Sequence, residues 1–164
     1  MLRPQRKVDM EKTNSMRLLE QRGVEYEVFT FSPEIHSALG VAEITGFRAE
    51  EVFKTLVVMR PSGKPVLVIA PGDGELNLKK VAAGVGEKKV AMASQREAES
   101  VTGLQVGGIS ALVLLHKGLP VYIHRSALEH ERILVSAGKR GVNLRLKSDE
   151  LIRIVKARLI DAMD

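Results

Sequence analysis

A chain of 164 residues fits one domain and can bury a core without covalent staples. It has no cysteine, which excludes disulfides, thiolate metal sites and a cysteine nucleophile. A formal net charge of +5 favours an anionic partner, nucleic acid first, while few aromatics and no tryptophan argue against a broad stacking platform for single strands.

The basic start, Met1-Leu2-Arg3-Pro4-Gln5-Arg6-Lys7, has no apolar stretch after it. It reads as a loose arm over residues 1–10, with the domain proper over 11–164. No apolar run approaches the roughly 20 residues of a membrane span, so no membrane partner is expected. The lack of cysteine fits a cytoplasmic location.

In chain order, residues 12–22 are predicted as a helix ended by Gly23, and residues 24–31 alternate as a strand. Ser37 caps a short helix carrying Ala38, Leu39, Val41, Ala42 and Ile44, closed by Gly46, and residues 49–52 add a turn. Residues 53–59 are apolar on both faces, as a central strand is, and Pro61-Ser62-Gly63 joins them in a hairpin to residues 66–70. Asn77 caps a helix through Val81 to Ala83, residues 90–92 are short and apolar, and Ser94 caps a helix running to about Val101. Strands are predicted at 121–124, 132–135 and 142–146, the last of them followed by a terminal helix capped by Ser148, with Leu151, Ile152, Val155 and Leu159 on one stripe. The mixture predicts a single α/β domain with a curved mixed β-sheet, barrel-like and surrounded by helices.

Three features could carry chemistry. Lys54 lies among apolar neighbours in its strand, either snorkelling from the strand end or aimed into a pocket as a proton donor, base or electrostatic stabiliser. In Gly107-Gly108-Ile109-Ser110 the glycines let backbone approach a ligand and aim N–H groups at an oxyanion, although for a bare Gly-Gly a tight turn is the commoner explanation. Ser136-Ala137-Gly138-Lys139-Arg140-Gly141 suits a phosphate or ribose contact, or is a charged hairpin tip. Lys79-Lys80 adds a second basic pair. The four histidines show no metal-ligand spacing, and neither a metal nor a cofactor is expected.

The combination is more specific than its parts. Residues 52–58, Val-Phe-Lys-Thr-Leu-Val-Val, resemble the V-[YF]-K-T-L strand of the YbaK/EbsC family. Residues 74–81 are similar to its G-x-L-D-L-K-K segment, residues 102–110 to T-G-x-x-x-G-G-[IV]-S-P, and residues 135–141 to V-S-[GA]-G-[KR]-R-G. The family includes Cys-tRNA(Pro) deacylases and the editing domain inserted in some prolyl-tRNA synthetases. The resemblance implies cleavage of the ester joining a wrong amino acid to tRNA, with aminoacyl-tRNA as substrate and a prolyl-tRNA synthetase as a potential partner. It casts Lys54 as the essential lysine. It makes Phe31, Gly107, Gly108, Ile109, Ser110, Ser136, Gly138 and Asn143 substrate-pocket residues, and Lys79, Lys80, Lys139 and Arg140 tRNA contacts. Three departures bear on which amino acid is removed: Ala111 for the usual proline, Phe31 for a tyrosine and Asn143 for an aspartate of cysteine-specific members. The implied route is attack by the cysteinyl thiol on its own carbonyl. Its alternatives are a positioned water acting on Ala-tRNA(Pro) or another mischarged tRNA, a non-catalytic tRNA-binding module, and a nucleotide-binding regulator.

Overall fold

The computed structural model describes residues 11–164; the expected basic arm, 1–10, lies outside them. Thr13 accepts the N–H of Met16 and opens α1 (Asn14–Gln21), whose Met16 and Leu19 are fully buried. β1 (Glu27–Thr30) follows, shorter than the alternation predicts. Ser37 accepts the N–H of Gly40 at the start of α2 (Ala38–Thr45), and left-handed Gly46 ends it, as predicted. A 3-10 turn over Ala49–Glu51 leads into β2 (Phe53–Met59), which pairs antiparallel with β3 (Pro65–Pro71) through the expected hairpin. Then come α3 (Leu78–Val85), β4 (Ala91–Met92), α4 (Gln95–Thr102), β5 (Val121–His124), β6 (Arg132–Ser136), β7 (Val142–Lys147), α5 (Ser148–Val155) and β8 (Arg158–Ile160).

Among the described residues the predicted single curled sheet is instead two sheets, with no closed barrel. One has the order β4-β2-β3-β5-β8, mixed because β3, β5 and β8 run parallel; the other, β1-β7-β6, is antiparallel. A parallel bridge between Val52 and Leu134 ties them. The main core gathers Met16, Val28, Phe53, Val57, Ile69, Ile133 and Leu144 from both sheets and α1. The far face of the larger sheet is covered by α3, with Val58, Val66, Val68 and Val81 packed together. β3 is therefore the middle strand and reads apolar at every position, while β2 stands beside it.

The chain's end departs furthest from expectation. α5 stops at Lys156, which takes a left-handed conformation (φ 54°), so Leu159 does not extend the helical stripe but lies in β8, 45% exposed. Ser148 does not cap: its hydroxyl donates to the carbonyl of His130 at 2.6 Å. The remaining residues fold back on α3, where Asn77 N–H donates to Ala162 O and Lys80 Nζ to Met163 O.

Candidate active site

β4 covers only Val58 and Met59 of β2, and the next contact is Ala93 N–H donating to Val57 O at 3.0 Å. Beyond it no described strand pairs with this edge of β2, and Phe53, Lys54, Thr55, Leu56 and Val57 all line one cavity of about 620 Å³. Alternate peptides of an antiparallel strand face the same edge, so the N–H and C=O of Thr55 are directed as those of Val57 are, away from β3. A cavity of this size is ordinary for a small-molecule site.

Lys54 is half-buried, and its Nζ donates to Gly74 O at 2.9 Å. Its strand face is the one shared with Val58, under α3, which brings it to the loop 72–75 rather than into the main core. That loop lines the cavity as well. Gly72 is required there: a Cβ would stand 2.5 Å from Ala38 Cβ.

Gly107 and Ile109 also line the cavity. Gly107 has φ +90°, and a Cβ on it would fall 2.5 Å from His36 Cβ, so only glycine lets these two loops touch. Gly108 N–H is already committed to Gln105 O, whereas the N–H groups of Gly107 and Ile109 donate to no protein acceptor among the described residues. Two residues of the smaller sheet complete the wall, Ser136 and Asn143, which are register partners in β6 and β7. Ser136 Oγ accepts Gly138 N–H at 3.2 Å, leaving its own proton to donate. Asn143 is 6% exposed, and its side-chain amide has no hydrogen-bond partner among the described residues, an arrangement that favours a polar ligand group.

The other expected pocket residues stand behind this wall. Gly108 abuts the backbone of Lys139 and Arg140, and Gly138 abuts Val113. Ser110 is buried, its Oγ accepting Val113 N–H. Phe31 packs against the cluster that holds Phe29, Val52 and Leu134, and its N–H donates to Gly141 O. Of the basic residues, Lys79 and Lys139 are exposed, Lys80 pairs with Asp161 at 3.3 Å, and Arg140 Nε donates to Val106 O at 2.7 Å; none lines the cavity. Residues not anticipated at the site are His36, Ser37, Leu39, Asp73, Glu75, Met92 and Gln95. The pair Gly72 and Gly74, directly after the partner strand of Lys54, was the available signal for the 72–75 loop; nothing in the sequence marks His36. Among the described residues no three His, Asp or Glu side chains gather as metal ligands do.

Behind the 72–75 loop, His124 Nδ1 accepts Ala162 N–H at 3.0 Å. Burial holds its imidazole pKa below the usual value, against the opposing pull of Asp161.

A family model for the aminoacyl-tRNA editing domain matches residues 32–154. A protein of Enterococcus faecalis named "Putative Cys-tRNA(Pro)/Cys-tRNA(Cys) deacylase EbsC" is 37% identical over 158 residues, covering 95% of this chain and 96% of that one. The multifunctional Ser/Thr-tRNA deacylase ProXp-y of Escherichia coli is 28% identical over 152 residues, covering 88% and 87%. In fold, the chain superposes on a crystal structure titled as "a putative trans-editing enzyme for prolyl tRNA synthetase" with a TM-score of 0.78 at 23% identity, over 94% of this chain and 99% of that one.

Proposed function

Because the chain belongs to the aminoacyl-tRNA editing domain family and is thus an aminoacyl-tRNA deacylase, we propose that it clears Cys-tRNA(Pro) using the substrate's own thiol. The observation that carries this reading is the pairing, in one cavity, of an ammonium held by Gly74 O with the uncommitted N–H groups of Gly107 and Ile109. The lining contains fixed donors and a cation and no cysteine. An aminoacyl ester is already activated, so such a site need only orient it and stabilise the oxyanion.

In this mechanism the N–H groups of Gly107 and Ile109 meet the carbonyl oxygen as it becomes an oxyanion, and Lys54 positions the terminal ribose. The cysteinyl sulfur bonds to the carbonyl carbon, the ester C–O bond breaks, and the thiol proton ends on the released ribose oxygen. The product is a cyclic thioester, which water then opens. Lys54 acts by charge and position. A prolyl-tRNA synthetase is the partner we assign for choosing the tRNA, with Lys79, Lys80, Lys139 and Arg140 as the candidate basic contacts.

The unpartnered amide of Asn143 supports a second reading, in which a hydroxyl-bearing aminoacyl group is bound there and a positioned water attacks. The similarity to a Ser/Thr-tRNA deacylase points the same way. A deacylation screen of Cys-, Ser- and Ala-tRNA(Pro) together with Cys-tRNA(Cys) separates the two. Thiol attack predicts rapid loss of the cysteinyl ester and very slow loss of the seryl ester. Equal rates for the two esters would establish the water route.

A further inference from the structure

Among the described residues only five large hydrophobics stand exposed, and two of them belong to this cavity: Leu39, 61% exposed in the first turn of α2, and Met92, 41% exposed at the end of β4. A single exposed leucine needs no explanation. Two that line the same cavity as Lys54, Gly107 and Asn143 do, because exposed apolar surface beside a ligand site loses free energy to water unless something covers it.

What covers it follows from the substrate. The ester sits on the ribose of a terminal adenosine, and the fixed donors lie inside, so the aminoacyl group goes in and the base stays at the mouth. A purine has two apolar faces and a polar edge. There is no tryptophan, and every phenylalanine and tyrosine in the described chain is at least partly buried, so apart from the exposed His36 imidazole no ring of this cavity is free to stack on the base. Aliphatic and thioether side chains can take that place, since flipped bases pack between apolar as well as aromatic side chains and methionine sulfur favours aromatic contact.

We propose that Leu39 and Met92 seat the terminal adenine of the aminoacyl-tRNA at the cavity mouth. The inference rests on the deacylase reading and adds to it a site for the base, read through its faces and not through hydrogen bonds to its edge. Binding energy from the base is then part of what holds the ester in place for attack.

The test uses the full chain and two small substrates: the aminoacyl group that the wild-type protein removes fastest, esterified to adenosine and to ribose without a base. The wild-type protein should prefer the adenosine ester. In the Leu39→Ala, Met92→Ala double variant, kcat/KM for the adenosine ester should fall roughly tenfold, the scale of one lost stacking contact, while the ribose ester is cleaved as before. A merely structural role for the pair would lower both rates together and overturn the proposal. So would an undiminished adenosine preference in the double variant, including the case where light scattering shows that the variant has lost self-association and the patch belongs to a second copy of the chain. Failure of the wild-type protein to cleave any aminoacyl ester, charged tRNA included, would overturn the deacylase reading itself.

Discussion

The two principal walls of the cavity are held by different physics. The Lys54 wall is tethered by polar contacts that cross the chain. Lys54 Nζ rests on Gly74 O; Met163 packs against Gly74 and bridges to Leu76; Asn77, Lys80 and His124 each bond the segment 161–164. The Gly107 wall is held by backbone contact. Gly107 lies on His36, Gly108 on Lys139 and Arg140, Gly138 on Val113 and Gly141 on Phe31 O, each too close for a Cβ. Apart from Gly72, where a Cβ would stand 2.5 Å from Ala38 Cβ, the Lys54 wall is held by side-chain contacts that can be retuned by substitution or protonation. One held by missing β-carbons tolerates neither, because there is no slack to take up.

Removing the charge on the tethered side should cause the largest loss. Lys54→Ala should lower single-turnover deacylation of Cys-tRNA(Pro) about a hundred- to a thousand-fold, the range seen when one fixed electrostatic donor is lost. The denaturant midpoint should barely move, since among the described residues the half-buried ammonium has only Gly74 O as a partner. An active Lys54→Ala protein would remove the lysine from the mechanism.

The next effect sharpens the contrast between glycines. Gly107→Ala combines a φ of +90° with a Cβ 2.5 Å from His36 Cβ, and should cost about 1–3 kcal/mol in urea unfolding along with most of the activity. Gly74→Ala meets only the terminal methyl of Met163, at 3.0 Å, which can rotate away. It should cost less than Gly107→Ala on both measures. The reverse order would mean that the tethered wall, not the close-packed one, is the intolerant side.

The legibility of the sequence follows the same division. Helix caps at Ser37, Asn77 and Ser94 were legible because capping is local chemistry written in consecutive residues. Lys54 and the Gly107–Ser110 stretch stood out, but their neighbours did not, since the contact between Gly107 and His36 depends on two loops meeting in space. Ser110 and Gly138 belong to the same local motifs as Gly107 and Ser136, yet they face Val113 behind the wall. Which residue of a turn faces a cavity is set by packing that a motif does not record. β8 escaped notice because Leu159 fits the helical period as well as it fits a strand, and what ends α5 is a lysine in left-handed conformation where glycine would have been the usual signal.

The smallest expected effect tests whether the tethered wall responds to pH. His124 Nδ1 must be unprotonated to accept Ala162 N–H, and burial lowers its pKa, with Asp161 and Glu129 favouring the charged ring and Arg125 and Lys80 opposing it. A histidine depressed in the folded state costs nothing while both states are neutral. Below the unfolded pKa of about 6.5 the unfolded chain takes up a proton that the folded chain resists, so stability falls as pH drops from there toward the folded pKa. Asparagine at this position keeps an acceptor and removes the titration. His124→Asn should therefore unfold at nearly the same urea midpoint as the wild-type protein at pH 7.5, and the two should diverge on acidification, the wild-type midpoint falling faster as the pH drops below about 6.5. Parallel curves would mean that the hydrogen bond to Ala162 does not govern how this segment is held. The Lys54 wall would then owe its position to its other contacts, those of Lys54, Gly72, Met163, Asn77 and Lys80.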